Sequence, residues 1–205
     1  MLKKLLLSCF LFSVFNSFSQ ENLNVLKYNF FGAMVSSYTL AYEHILDPES
    51  SVQLSLGYRH YNLTPFFKQD TSDYYSGFTV TAEYRKYLRS LKRTSPKGLY
   101  FAPFVRYGNY REKYGFDLQP YYNFTYKITS WSGGLMIGYQ LLIAKLISVD
   151  FFLGGQYKTR TLKAVFANPT AYGITPANYS RKAVFKDDTS LYDYIRLGLN
   201  IGITF

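Results

Sequence analysis

Cysteine, histidine and long apolar runs are all scarce in this sequence. The only cysteine is Cys9, and histidine occurs twice in 205 residues. Once a signal peptide of nineteen residues is removed, no thiol is left for disulfides or for nucleophilic catalysis. No run after residue 19 is long and apolar enough for a transmembrane helix. Because the carboxylates also lack the Asp-x-Asp-x-Asp-Gly spacing of a calcium loop, we expect neither a bound metal nor a cofactor.

The first nineteen residues have the composition of a secretory signal peptide. Lys3 and Lys4 precede the apolar run Leu5–Phe15, which is too short to span a bilayer as a helix. Small serines then precede a predicted cleavage site before Gln20. A lipid-anchored Cys9 is the alternative, but the apolar run continues well beyond this residue.

The chain that remains is basic and rich in aromatic residues. Loss of two of the 23 basic residues leaves 21 against 13 acidic ones, a net charge of +8. Aromatic residues make up 20% of the sequence, and 22 of them are tyrosines. This share is high for a soluble domain and usual for a barrel with aromatic girdles. The length suits one domain.

Eight segments alternate between apolar and polar residues, which is the pattern of β-strands with two different faces. The last segment, Tyr192–Phe205, alternates most strictly, with Ile201, Ile203 and Phe205 on its apolar face and Arg196 on its polar face. The other seven predicted strands are Leu26–Met34, Tyr38–Leu46, Ser51–Asn62, Phe78–Leu88, Leu99–Tyr110, Tyr126–Leu142 and Val149–Thr161.

An eight-stranded barrel can be soluble or embedded in a membrane, and the two differ in which face is apolar. Here the polar face is rich in Gly, Ser and Thr, which fit a narrow lumen. The apolar face carries Tyr58, Tyr107 and Tyr157 at similar heights, as in an interfacial aromatic girdle. We predict an all-β, eight-stranded antiparallel up-and-down transmembrane β-barrel in the outer membrane. Residues 1–19 are the predicted signal peptide and residues 20–205 the barrel domain.

Several short motifs carry a resemblance to known barrels. They are Lys27-Tyr28-Asn29, Tyr42-Glu43, Gly138-Tyr139-Gln140 and the C-terminal strand. The whole mature chain resembles the small eight-stranded outer-membrane barrels of the OmpA-transmembrane and OmpX type, and more narrowly an uncharacterised family of small barrels from Gram-negative bacteria. The final strand resembles the assembly signal of such barrels, with Phe205, Ile203 and Ile201 as its apolar residues. The resemblance implies the fold, the location and the barrel-assembly machinery as a partner during biogenesis, and it implies no activity.

The polar face carries charges of both signs. Its charged residues are Lys27, Arg59, Arg85, Arg106, Lys158, Arg160, Arg196, Glu43, Glu83 and Asp150. Since eight strands enclose an interior that side chains roughly fill, we predict a packed charge network in the lumen, and a narrow gated pore is the alternative. The network is predicted to comprise Glu83, Arg59, Arg106, Arg85, Glu43 and Arg196.

Hairpin arithmetic makes the prediction for Glu83 specific. If the loop before its strand is centred near Thr71, Arg59 lies opposite Glu83. If the turn after the strand is centred between Thr94 and Ser95, Arg106 lies opposite Glu83 on its other side. Directly opposite residues have Cβ atoms about 4.5–5.5 Å apart. We therefore expect Glu83 to lie between Arg59 and Arg106, with Arg85 nearby.

Both histidines are weak candidates for catalysis. Small outer-membrane enzymes that modify lipid A use a His with a Ser near the outer leaflet. His44 lies near the periplasmic end of its predicted strand. His60 faces outward near the extracellular end, and its neighbours lack the His-x-Ser spacing. We predict a protein that is not an enzyme, and a lipid A-modifying enzyme is kept as an alternative.

Basic residues in or next to the predicted extracellular loops suggest anionic partners. They are Lys68, Arg111, Lys113, Arg181, Lys182 and Lys186. Outer-membrane lipid and lipopolysaccharide phosphates suit them, whereas ordinary solvated charge is the simpler interpretation. The same loops hold Asp70, Asp73, Asp187 and Asp188, which we interpret as solvated carboxylates. Nucleic acid is not expected, because the basic residues follow no recognition motif.

Three function classes remain open. The first is a non-catalytic surface barrel that serves envelope integrity, adhesion or binding through its loops. The second is an accessory subunit of a larger envelope complex, with other envelope proteins as partners. The third is the lipid A-modifying enzyme.

Overall fold

The structure is a computed structural model that describes residues 24–34, 36–62, 74–88, 97–114, 124–144, 146–166, 180–181 and 194–205. Nine strands and one short helix occur in these ranges. In chain order they are β1 (Asn24–Asn29), α1 (Phe30–Met34), β2 (Ser37–Asp47), β3 (Ser50–Asn62), β4 (Tyr74–Tyr87), β5 (Gly98–Tyr114), β6 (Phe124–Ile143), β7 (Ile147–Phe166), β8 (Ser180–Arg181) and β9 (Ile195–Thr204).

Eight of the strands form a closed antiparallel barrel, as predicted. Each strand from β1 to β7 pairs with the next, β7 pairs with β9, and β9 pairs with β1 to close the ring. The two-residue β8 lies outside the ring and pairs with β7. All pairings are antiparallel, so the up-and-down barrel topology is confirmed.

The first predicted strand is wrong in its second half. β1 ends at Asn29, and Phe30–Met34 forms the helix α1. The backbone N–H of Gly32 donates to Oδ1 of Asn29 at 2.5 Å, which is the side-chain cap of a helix start. Two adjacent phenylalanines break the alternation at this point. The chain therefore leaves the wall of the barrel earlier than the sequence pattern predicts.

The barrel is apolar outside and polar inside. Side chains such as Leu56, Leu135 and Leu197 are more than half exposed on the outer wall. Lys27, Glu43, Arg85 and Asp150 are almost completely buried in the lumen. An apolar cluster also lies inside the barrel and comprises Tyr87, Tyr100, Ala102, Phe104, Met136 and Phe152. This distribution is the reverse of a soluble barrel.

An aromatic belt marks a change of polarity on the outer wall. Tyr107 lies against Trp131 with ring centroids 5.0 Å apart, and against Phe78 at 6.2 Å. Tyr58 is directly opposite Phe78 in the neighbouring strand. Below the belt the outward residues of β6 are apolar, and above it they are Thr129, Lys127 and Thr125. The belt thus lies where an apolar environment would give way to water.

The wall of the barrel is much higher on one side than on the other. β6 and β7 each have 20 residues and β5 has 17, whereas β1 has six. About 9–11 residues are enough for a strand to cross a bilayer. The sheet of β5, β6 and β7 therefore rises well above the aromatic belt. On its inner side this raised part carries the buried apolar residues Tyr110 and Ile128.

At the lower end of the barrel, the connection between β2 and β3 is tight. Between β2 and β3 the Ser50 hydroxyl donates to Oδ2 of Asp47, and the Glu49 backbone N–H donates to Oδ1 at 2.7 Å. These hydrogen bonds hold the pKa of Asp47 below its ordinary value. The chain ends at the same end of the barrel, where Phe205 exchanges backbone hydrogen bonds of 3.0 and 3.2 Å with Asn24.

Candidate functional site: the charged lumen

Six charged side chains form a compact layer across the lower lumen, and we call them the charge layer. They are Lys27, Arg85, Arg196, Glu43, Glu83 and Asp150, contributed by β1, β2, β4, β7 and β9. Three positive charges meet three negative ones, so the layer is neutral as a whole. Each side chain points inward because it shares the parity of its strand's lumen face.

One half of the charge layer is centred on Asp150. Lys27 Nζ lies 2.6 Å from Oε2 of Glu43 and 3.0 Å from Oδ2 of Asp150. Arg85 Nη1 lies 2.9 Å from the same Asp150 oxygen. The hydroxyl of Tyr100 donates to Asp150 Oδ1 at 2.8 Å, and Asn200 Nδ2 donates to Oδ2 at 3.1 Å. Such charge-assisted hydrogen bonds keep a buried carboxylate ionised.

The other half of the charge layer is centred on Glu83. Arg85 Nη2 lies 2.9 Å from Oε2 of Glu83, and Arg196 Nη2 lies 2.5 Å from Oε1. Gln53 Nε2 also donates to Oε2 at 3.1 Å. Arg85 therefore links the two halves, because it contacts both Glu83 and Asp150.

Aromatic side chains hold the two arginines in place. The guanidinium carbon of Arg85 lies 4.6 Å from the ring centroid of Tyr100. The guanidinium carbon of Arg196 lies 4.6 Å from the Phe104 centroid and 5.0 Å from that of Phe152. These distances suit cation–π contacts, which are strongest when water is excluded. Arg196 thus reaches down to Glu83 between two phenylalanine rings.

Glycine makes room for one of these rings. Tyr100 lies directly opposite Gly138 across the β5–β6 pair. A Cβ atom at Gly138 would collide with the ring and the hydroxyl of Tyr100. The tyrosine can lie across the lumen and reach Asp150 only because position 138 has no side chain.

Four of the six residues predicted for the lumen network meet in the charge layer, and two do not. Glu43, Glu83, Arg85 and Arg196 are there, whereas Arg59 and Arg106 are not opposite Glu83. The register pairs Glu83 with Gln53 on one side and with Phe104 on the other. The predicted position of Glu83 between Arg59 and Arg106 is therefore wrong.

The error in register has a physical cause. β3 and β4 pair as far as Asn62 and Tyr74, so their connection is centred near residue 68 and not near Thr71. Arg59 consequently lies opposite Gly77. Side-chain alternation specifies which face a residue takes, but it does not specify which residue lies opposite.

Arg59 and Arg106 instead belong to a second group, higher in the lumen. Arg106 is opposite Thr81 and Ser132, and Ser132 is opposite Lys158. Arg160 follows on the same face of β7. We call Arg59, Arg106, Lys158 and Arg160 the basic recess. The sequence already showed their lumen parity, but it gave no sign that they are separated from the charge layer.

Tyr87 and Tyr100 are part of the charge layer's support, and the sequence reasoning missed them. The Tyr87 hydroxyl donates to Oε1 of Glu43 at 2.7 Å. Both tyrosines have the same parity as charged or small lumen residues on their strands, for example Arg85. This parity was the signal that could have assigned them to the lumen.

The residues of the predicted assembly signal lie at the seam between the first and last strands. Ile201 and Ile203 point outward from β9 and are about half exposed. Ile203 is opposite Leu26 of β1 and opposite Ile147 of β7. Phe205 follows directly after β9.

The two histidines lie on the outer wall. His44 Nδ1 is 2.9 Å from Oδ1 of Asn24, and the Tyr42 hydroxyl donates to the same oxygen at 2.6 Å. The ring of His60 stacks on Tyr58 with centroids 6.4 Å apart. Of the predicted loop residues, Arg111 and Lys113 lie in β5 and Arg181 in β8. The others lie outside the described residues: Lys68, Lys182, Lys186, Asp70, Asp73, Asp187 and Asp188.

Membrane-spanning helices and metal sites are both absent from the described residues. The short helix found there has neither the length nor the hydropathy of a membrane span. No group of three or more His, Cys, Asp or Glu side chains in the described ranges is arranged to hold a metal ion.

Comparison with known proteins gives a family and a fold. The family described as "Protein of unknown function (DUF3575)" matches residues 5–173. No curated protein matches the chain. The structure is similar to a major outer membrane protein from Thermus thermophilus, with a TM-score of 0.52 and 14% identity over 89% of this chain and 98% of that one. At this identity the likeness supports the fold alone.

Two further solved structures are similar at a TM-score of 0.40 and 14% identity. One is the N-terminal β-barrel domain of Pseudomonas aeruginosa OprF, where the match covers 91% of this chain and 100% of that one. The other is Acinetobacter baumannii CarO, with 90% and 97% covered. The narrower resemblance to barrels of the OmpA and OmpX type stays a prediction.

Proposed function

We propose that this chain, which belongs to the family described as "Protein of unknown function (DUF3575)", is a non-catalytic outer-membrane barrel that binds through its loop end. In this proposal the lumen is closed to ions, the lower end faces the periplasm and the raised sheet faces outward. The protein serves envelope integrity, adhesion or binding.

The observation that carries the proposal is the reversed polarity of the barrel. Leucines, isoleucines and tyrosines cover the outer wall, and ion pairs fill the interior. An apolar wall of this extent is unstable in water, whereas a closed barrel leaves no unpaired strand edge in lipid. The aromatic belt around Trp131 and Tyr107 supports a membrane boundary at that height.

The charge layer supports a lumen that does not conduct. Lys27, Glu43, Arg85 and Asp150 have no measurable side-chain exposure. Phe104, Phe152 and Met136 are packed together in the same lumen, with both phenylalanine rings against Arg196. Eight strands leave little interior space beyond the side chains themselves.

The placement of the histidines supports the non-catalytic assignment. Nucleophilic catalysis would require a serine or another nucleophile within hydrogen-bond reach of a base. His44 is bonded to Asn24 on the outer wall, and an asparagine supplies no nucleophile. His60 points away from the lumen, and its ring stacks on the ring of Tyr58. Neither contact has the geometry of a base that activates a hydroxyl for attack.

Membrane fractionation tests the proposal. The folded protein is expected in the outer-membrane fraction, and its migration in detergent gels should change on heating, as for other closed barrels. Recovery as a soluble periplasmic protein with unchanged migration would contradict it. In planar bilayers we expect no steady ion conductance, and stable channel openings would favour the gated pore.

Two further measurements separate the remaining functions. An altered lipid A profile in a deletion strain, restored by the wild-type gene, would favour the enzyme. Co-purification with stoichiometric partners after mild detergent extraction would favour the accessory subunit. An unchanged lipid A profile together with a barrel that purifies alone is the outcome expected for the surface barrel.

A further inference from the structure

The described lumen has more positive than negative charge, and the whole excess lies in its upper half. The charge layer is balanced. Above it, the basic recess contributes four cations, and the acidic side chain on the same face of the described strands is Glu112, near the end of β5. Lys158, Arg160 and Glu112 each take part in further interactions.

Arg106 is at the centre of this recess and has cations as neighbours. Its Nε donates to the Thr81 hydroxyl at 3.0 Å, which fixes the guanidinium near the wall. Arg196 and Arg59 both lie close enough to act on Arg106 electrostatically. Glu83 also acts on it, but Glu83 is already bonded to Arg85 and Arg196. Cations held together in a partly buried space repel each other unless an anion joins them.

The recess has a floor, a high wall and an accessible side. Phe104, Phe152 and Met136 form the floor, where Arg196 of the charge layer lies against both phenylalanine rings. Tyr110 and Ile128 are buried on the inner side of the raised sheet. On the opposite side the wall is low, because β1 ends at Asn29. There Arg59 is exposed to solvent, in contrast to the buried residues lower on its strand.

We propose that the basic recess binds a multiply charged phosphate group, with Arg59 and Arg106 as its principal ligands. The planar guanidinium donates two parallel hydrogen bonds to phosphate oxygens, and two arginines can hold one group from two sides. The Ser132 hydroxyl lies on the same face between Arg106 and Lys158, and it can act as an additional donor. Two guanidiniums that face one anion favour an anion with more than one negative charge.

Phosphate of this kind can reach the recess from two sources. One is a free anion such as pyrophosphate. The other is the phosphate of lipopolysaccharide, and only this source rests on the proposed outward orientation of the raised sheet. The binding chemistry in the recess is the same for both.

Titration calorimetry on the detergent-folded mature protein tests the inference, with pyrophosphate and purified lipopolysaccharide as separate probes. We expect saturable binding of at least one probe. Arg59→Gln should weaken it about tenfold, as should Arg106→Gln, because each removes charge-assisted hydrogen bonds. Arg59 is exposed, so its variant keeps the test valid if Arg106→Gln fails to fold.

Lys86→Gln is the control. Lys86 points outward near the lower end of β4, far from the recess, and its side chain is half exposed. It should leave the affinity unchanged although the net charge falls equally. Pyrophosphate binding that depends on Arg59 supports a free anion, and binding of lipopolysaccharide alone with the same dependence supports the lipid source. Absence of binding by both probes overturns the inference, as does an equal loss in Lys86→Gln. Heat-dependent migration of each variant checks folding independently of binding.

Discussion

Glu83 and Arg196 are 113 residues apart in the chain, and their side chains meet at 2.5 Å across the lumen. The contact joins β4 to β9, which are not neighbours in the wall. It therefore tightens the cross-section of the barrel in a way that strand pairing cannot. The same carboxylate also holds Arg85, so one side chain fixes two buried cations.

Removal of this carboxylate should be costly. We expect Glu83→Ala to lower the free energy of unfolding by about 3–5 kcal/mol, because the buried guanidinium of Arg196 loses its carboxylate and that of Arg85 loses one of its carboxylates. Glu49→Ala is the control, since Glu49 pairs at 3.2 Å with Lys86 in a half-exposed surface contact worth about 0–1 kcal/mol. The stability of both variants can be measured by urea unfolding in detergent or lipid, with the folded fraction read from heat-dependent gel migration. Equal losses would contradict the role of Glu83 in the charge layer.

The glycine opposite Tyr100 should also be sensitive. In Gly138→Ala the new methyl group collides with the tyrosine ring, and such overpacking costs about 1–3 kcal/mol. Gly155→Ala is the matched change on the outer wall, where the nearest atom to the new Cβ is the Tyr194 carbonyl oxygen at 4.0 Å. The same unfolding measurement should give a difference near zero for Gly155→Ala. A Gly138→Ala barrel as stable as the wild type would show that Tyr100 moves freely.

The only tryptophan in the sequence can test the proposed membrane boundary. Trp131 is 56% exposed on the outer wall, within the aromatic belt. In lipid vesicles we expect its fluorescence to be quenched more by bromine atoms attached near the headgroups than by bromine near the bilayer centre. The protein unfolded in urea is the control and should show no dependence on bromine depth. Strongest quenching at the bilayer centre would mean that the belt is not at the interface.

The C-terminal residue should matter for assembly. Deletion of Phe205 is expected to lower the outer-membrane level of the protein and to raise its degradation in the periplasm. Phe205→Tyr keeps an aromatic ring and the backbone bonds to Asn24, so it should assemble nearly normally. Immunoblots of membrane fractions measure both variants. Equal folded yield with and without Phe205 would contradict the predicted assembly signal.

Processing of the N-terminus can be measured directly. The predicted signal peptide lies outside the described residues, and its cleavage should leave a mature chain that begins near Gln20. Intact-mass spectrometry of the protein from the membrane fraction gives the new terminus. A mass equal to the full chain would contradict cleavage, and a lipid-modified mass starting at Cys9 would support the lipoprotein alternative.

Side-chain alternation was enough to predict the closed barrel but not its internal pairings. It assigned Glu83, Arg85 and Arg196 to the lumen side because a strand's period is two. The partner of each residue depends on where a loop begins and ends, and the pairing of β3 as far as Asn62 moved Arg59 away from Glu83. Loop boundaries are less well specified by sequence than strand cores.

The lengths of the strands were also underestimated where the wall rises. β7 was predicted to end at Thr161 and continues to Phe166, and β6 begins two residues before its predicted start. Above the belt the alternation continues, but the apolar residues now face the lumen. On β6, Ile128 is buried on the inner side and Lys127 is exposed on the outer side. A search for one constant apolar face therefore stops near the belt. The division of the lumen into two charged groups follows from this vertical arrangement and from the packing of Phe104 and Phe152, which no local pattern specifies.

The junction between β1 and β9 has a consequence for how the barrel opens. It extends only from Asn24 to Asn29, whereas β6 and β7 are paired from end to end. Exchange of amide hydrogens with deuterium should therefore be fastest in β1 and slowest in the β6–β7 hairpin. Lys27 projects from this short junction to Asp150 on β7, so the ion pair holds β1 to β7 across β9 and opposes separation of β1 from β9.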